Sequence, residues 1–121
     1  MPRRNARRRS FARPERKVPV KTQHEAAVRI QNRLGLHARP AAEFVKLASR
    51  FQAEVWVEKD EMEVNGKSIM GVMMLAAEAG ASIRIRAMGS DAAIAVDSLI
   101  DLVQSGFSEE LVPDIGEDGA R

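Results

Sequence analysis

The sequence predicts an α+β domain, an open-faced sandwich in which three helices cover one face of a four-stranded, mostly antiparallel sheet, in the order βαββαβα. Three observations predict it. The apolar spacing switches repeatedly between a period of two and a helical period. Each stretch with the strand period has one apolar and one polar face, which leaves one side of a sheet for helices and the other for water. A chain of 121 residues has room for one core, because two would each bury too little surface.

Residues 1–23 are rich in Arg and Pro and poor in hydrophobes, so they read as a basic, disordered N-terminal extension that cannot offset its ordering entropy. The first strand is expected over Ala26–Gln31, with Val28 and Ile30 on one face and Arg29 on the other. A loop around Gly35 follows. From Ala38 to Phe51 the stripe Ala41, Phe44, Val45, Ala48 and Phe51 predicts an amphipathic helix. Ala53–Glu58 alternates again, and Lys59–Glu61 turns it into a short arm, Met62–Asn65. A helix is expected over Ser68–Ala79, capped by Ser68 and stopped by Gly80.

Ser82–Arg86 is the plainest strand, with Ile83 and Ile85 inward and Arg84 and Arg86 outward. Gly89 turns the chain and Ser90 is expected to cap a last helix over Asp91–Ser105. Gly106 then suits a left-handed cap that folds Phe107 back onto that helix. The acidic segment from Ser108, with Pro113, reads as a frayed tail. Trp56 is out of phase with Val55 and Val57, which places it on the open face near Arg29, Arg84 or Arg86.

Composition narrows function. There is no cysteine, which removes disulfides, thiol catalysis and thiolate metal sites, and fits a reducing, cytoplasmic setting. No cofactor or metal motif is present. No apolar run reaches the ~18–20 residues of a membrane span, and the N-terminus lacks the apolar core of a secretory signal. Residues 1–24 hold nine basic side chains against one acidic, and the remaining 97 hold ten against sixteen. The basicity therefore belongs to the extension, and the folded part is mildly acidic.

The chemistry concentrates in Gly35-Leu36-His37-Ala38-Arg39-Pro40. His37 falls where a Gly-containing loop meets a helix start, a place where unpaired N–H groups and the macrodipole favour anions. With His37 at the N-cap, Ala38, Arg39 and Pro40 form the first helical positions, and Pro is tolerated there. The dipole and Arg39 both disfavour a charged ring, which would leave a lone pair for attack on phosphorus. Arg39 offers a planar fork of donors to the phosphate. Local physics leaves two readings open: a half-buried histidine that caps the helix, or a phosphoryl acceptor.

GLHARPAAEFV resembles the active-site signature of the HPr family, the histidine-containing phosphocarriers of the bacterial phosphotransferase system. VNGKSIMGVMML (Val64–Leu75) resembles the family's second signature, and the likeness runs from about His24 to Glu110. This gives three segments: the extension 1–23, a phosphocarrier domain 24–110 and an acidic tail 111–121. The resemblance implies that enzyme I phosphorylates His37 on Nδ1, that Arg39 contacts the phosphate at a helix start formed with Ala38 and Pro40, and that the group passes to enzyme IIA domains. It makes the chain a carrier whose catalytic machinery lies largely in its partners.

Ser68 matches the serine that an HPr kinase/phosphorylase modifies in the family, and a helix N-terminus accommodates the added charge. Ile69 and Met70 match a partner-docking patch near the histidine. Most of Ile69, Met70, Met73 and Met74 are nevertheless expected in the core. The ending Gln104–Glu110 resembles the nitrogen-related paralogue NPr, whereas Lys67–Gly71 resembles HPr proper, so a nitrogen-branch regulatory carrier stands as the alternative. A nucleic-acid module acting through the Arg-rich extension is the rival from another class. The extension lacks interleaved aromatics, and a disordered leader or mis-assigned start is the plainer expectation.

Overall fold

The structure, a computed structural model, describes residues 22–113. Residues 1–21 of the expected N-terminal extension and 114–121 of the expected acidic tail fall outside them, whereas Gln23, expected in the extension, already pairs with Met88 in the sheet. Along the chain come β1 (Gln23–Arg29), α1 (Ala38–Ala48), β2 (Glu54–Lys59), β3 (Met62–Asn65), α2 (Ile69–Met74), β4 (Ser82–Met88), α3 (Ala92–Gln104) and a 3₁₀ turn, Gly106–Ser108. The strands form one sheet in the order β1-β4-β2-β3, every neighbouring pair antiparallel. This is the predicted open-faced sandwich.

The inward positions of the alternating strands meet the helices. Val28, Val55, Val57, Ile83 and Ile85 are buried against Ala41 and Phe44 of α1 and Val96, Leu99 and Val103 of α3. On the opposite face Trp56 lies in register with Arg86, whose guanidinium carbon is 4.2 Å from the ring centroid. That spacing allows a cation–π contact. Among the three arginines that the period of two placed near Trp56, cross-strand register selects Arg86.

Several element ends differ from the sequence expectation. β1 starts three residues earlier than its alternation suggests, because Gln23, His24 and Glu25 pair with Met88, Ala87 and Arg86. α1 stops at Ala48, and bonds from Arg50 N–H to Leu47 C=O and from Phe51 N–H to Ala48 C=O tighten the exit, so Phe51 packs from a turn.

α2 is half the expected length. The chain leaves it through Ala76 at φ 49°. Ala77 C=O then accepts from Leu36 N–H, and Gly80 N–H donates to Ile30 C=O. Those groups are bonded to the β1–α1 segment, so they cannot continue a helix toward Gly80. At α3 the cap position is Asp91, not Ser90, and no side chain caps it. The Asp91 carboxylate instead accepts from the N–H groups of Gln52 and Ala53, each at 2.8 Å.

The expected fraying from Ser108 does not hold as far as Val112. Gly106, at φ 73°, lets the chain reverse, and Phe107 is completely buried. Residues beyond it run back along the end of β1: Arg33 N–H donates to Glu110 C=O at 2.8 Å and Val112 N–H to Gln31 C=O at 3.0 Å. Asn32 and Leu111 form an antiparallel bridge. This strap places Glu109 beside the start of α1.

Candidate functional site

His37 occupies the N-cap of α1 with extended backbone (φ −78°, ψ −171°). Its carbonyl accepts from Ala41 N–H at 3.0 Å, but its ring does not cap the helix. His37 therefore caps the helix through its backbone, which leaves its ring available for other contacts. Ala38, Arg39 and Pro40 are the first helical residues. The N–H groups of Ala38 and Arg39 keep no partner within the helix, as at any helix start.

The loop before His37 is set by close contacts. Gly35 has φ 71°, and a Cβ there would lie 2.5 Å from Ala77 C=O. Leu36 N–H donates to that same carbonyl at 2.9 Å, so the segment leaving α2 fixes the approach to His37. A side chain at position 35 would push it away.

The ring instead meets Glu109. Nε2 is 3.0 Å from Oε2 and 3.1 Å from Oε1, and the imidazole is 38% exposed against 14% for the carboxylate. An ionised carboxylate only accepts, so the facing nitrogen carries the proton and Nδ1 keeps the lone pair of the neutral ring. Arg39 Nη2 lies 2.7 Å from Glu109 Oε2 and donates to Phe107 C=O at 3.0 Å. Its Nη1 pairs with Glu43 one turn along α1. The ring therefore does not face positive charge alone, as the helix start and Arg39 had suggested, because Glu109 brings a carboxylate from the far end of the chain.

Asn32 completes the group. Its Nδ2 donates to Gly35 C=O at 2.8 Å and to Glu109 Oε1 at 2.9 Å. Burial pushes the Glu109 carboxyl up, but donors on Asn32, His37 and Arg39 outweigh it and hold the group below its ordinary value. Glu109 and Asn32 are the site residues that sequence reasoning missed. The signal available was the left-handed reversal at Gly106 and Phe107, which sends the next residues back toward α1.

Ser68 sits at the N-cap of α2, where its Oγ accepts from Gly71 N–H at 3.0 Å. Ile69, Met70, Met73 and Met74 are all exposed, Met70 by 69%, while Val72 and Leu75 take the core positions. The expectation that most of the four would pack inside fails because a six-residue helix lying over the core buries only one narrow stripe. Among the described residues, no helix is long and apolar enough to cross a membrane.

Comparison with known proteins accords with this geometry. Residues 24–105 match the family described as PTS HPr component phosphorylation site. The chain is 49% identical over 83 residues to the phosphocarrier protein HPr of Neisseria meningitidis, covering 69% of this chain and 93% of that one. It is 44% identical over 80 residues to the HPr-like protein Crh of Halalkalibacterium halodurans, covering 66% and 95%. Among solved structures, HPr from Thermoanaerobacter tengcongensis superposes with a TM-score of 0.70 at 49% identity, over 73% of this chain and 99% of the other. The helix-capping histidine, its basic neighbour and the sandwich beneath them thus lie within a stretch whose relatives are phosphocarriers, and the chain belongs to the HPr family of the phosphotransferase system.

Proposed function

We propose that His37 is the phosphoryl acceptor of this carrier, taking the group from enzyme I on Nδ1 and passing it to enzyme IIA domains in the cytoplasm. The observation that carries the reading is the Nε2–Glu109 contact at 3.0 Å, which leaves Nδ1 as the nucleophile. In the transfer the Nδ1 lone pair forms the N–P bond while the bond from phosphorus to the donor breaks, and the donor keeps that electron pair. Nε2 retains its proton throughout. The ring becomes formally cationic, and the Glu109 carboxylate is placed to stabilise it.

Arg39 and the N–H groups of Ala38 and Arg39 supply donors for phosphate oxygens. For a guanidinium already shared between Glu43 and Glu109, taking up phosphate means exchanging one carboxylate for another anion. Ile69 and Met70 are the docking patch in this reading, since adaptable apolar side chains suit a surface that meets several partners. Ser68 is the regulatory phosphorylation site, and an HPr kinase/phosphorylase is the corresponding partner. Relatives named HPr and Crh favour this over the nitrogen branch.

The test is phosphorylation of the full chain by enzyme I and labelled phosphoenolpyruvate. His37→Ala should abolish the acid-labile label while keeping the urea midpoint near wild type. Acid-labile label persisting in that variant overturns the assignment.

A further inference from the structure

Asn32 is the one buried polar side chain within the core of the described residues, with no exposed surface. Buried amides are retained where their hydrogen bonds are specific, and these are. Both Nδ2 protons are used, one on Gly35 C=O at 2.8 Å and one on Glu109 Oε1 at 2.9 Å. Turning the amide over would set Oδ1 against two acceptors, so the network itself fixes its orientation. Oδ1 is buried with no partner, which is unfavourable; the amide is therefore held for its donors. The backbone on either side of Asn32 pairs with the strap, through Gln31 C=O and Arg33 N–H, so the same short segment positions Glu109 twice.

We propose that Asn32 is a positioning residue for phosphoryl transfer, locking the Glu109 carboxylate and the loop before His37 in one register so that Nε2 faces Glu109 and Nδ1 faces the donor. The inference rests on the reading of His37 as the acceptor. Glu109 offers two oxygens to three donors. Asn32 holds Oε1 and Arg39 Nη2 holds Oε2, so that both oxygens face His37 Nε2, at 3.1 and 3.0 Å. Without that hold the carboxylate is free to turn toward Arg39, and the imidazole can then present either nitrogen to solvent.

The experiment is a double-mutant cycle on the kcat/KM for phosphorylation by enzyme I, using wild type, Asn32→Ala, Glu109→Ala and the double variant. Asn32→Ala should lower kcat/KM about tenfold, the scale of one lost charge-assisted hydrogen bond, and should have little further effect once Glu109 is Ala. An equal loss in both backgrounds overturns the proposal, because Asn32 would then only be supporting the loop. Nitrogen-15 NMR of His37 should show the Nε2–H tautomer in wild type and a mixture in Asn32→Ala; an unchanged tautomer overturns it. Should Asn32→Ala fail to fold, wild type carries the test: the Asn32 side-chain amide protons should shift as the His37 ring is titrated, and stationary resonances overturn the proposal. Label surviving His37→Ala would strike the acceptor reading, whereas label confined to His37 with an uncoupled Asn32 strikes this inference alone.

Discussion

Three groups hold the Arg39 guanidinium: the Glu43 carboxylate, the Glu109 carboxylate at 2.7 Å and Phe107 C=O at 3.0 Å. Its side chain remains 49% exposed, so these contacts set direction more than stability. In Arg39→Glu the phosphate would lose its fork of donors and meet a third carboxylate. Transfer from enzyme I should fall about 10- to 100-fold, the equivalent of roughly 1.5–3 kcal/mol for hydrogen bonds to a charged group. The urea midpoint should move little, as for most surface substitutions; a large loss of stability with an unchanged rate would contradict the assignment. His37, Arg39 and Pro40 were legible in the sequence because their chemistry is local: six consecutive residues, Gly35 to Pro40, define a loop, a cap and a first turn. Glu109 and Asn32 were not, because their meeting is 77 residues long in sequence and depends on a chain reversal that no periodicity records.

At the scale of elements, α2 shows how tertiary bonding overrides a local pattern. Its sequence continues in helix formers to Ala79, yet Ala77 and Gly80 give their backbone groups to Leu36 and Ile30, and the helix ends at Met74. The strands were easier to read, because a half-buried strand writes its inward face into every second residue; Ile83, Ile85 and Ala87 are all buried. Shortening α2 also explains why its methionines face solvent. Ser68→Asp should leave the fold intact, since Asp is also a good N-cap, and in the proposed regulation it should slow phosphorylation by enzyme I. Wild-type rates in that variant would argue against Ser68 as the regulatory site.

For the whole molecule, two carboxyls tie distant parts together and give stability a dependence on acid. The N–H of Gln52 holds Asp91 below its ordinary value of 3.8, with Ala53 assisting and burial opposing. Glu109 is held below 4.5, where burial is outweighed by Asn32, His37 and Arg39. A carboxyl with a lowered folded pKa contributes stability that is complete above its unfolded value and lost as pH falls through the folded one. The urea midpoint should therefore be lower at pH 3 than at pH 7. Asp91→Asn together with Glu109→Gln should flatten that slope between them, and a slope unchanged in the double variant would place the acid sensitivity elsewhere. The far side of the sheet offers the means to watch this. The chain contains a single tryptophan, and Trp56 stands on the open face beneath Arg86, across the sheet from the helices that carry His37. Its fluorescence is thus an intrinsic optical probe, quiet toward events at the imidazole and responsive when the sheet comes apart.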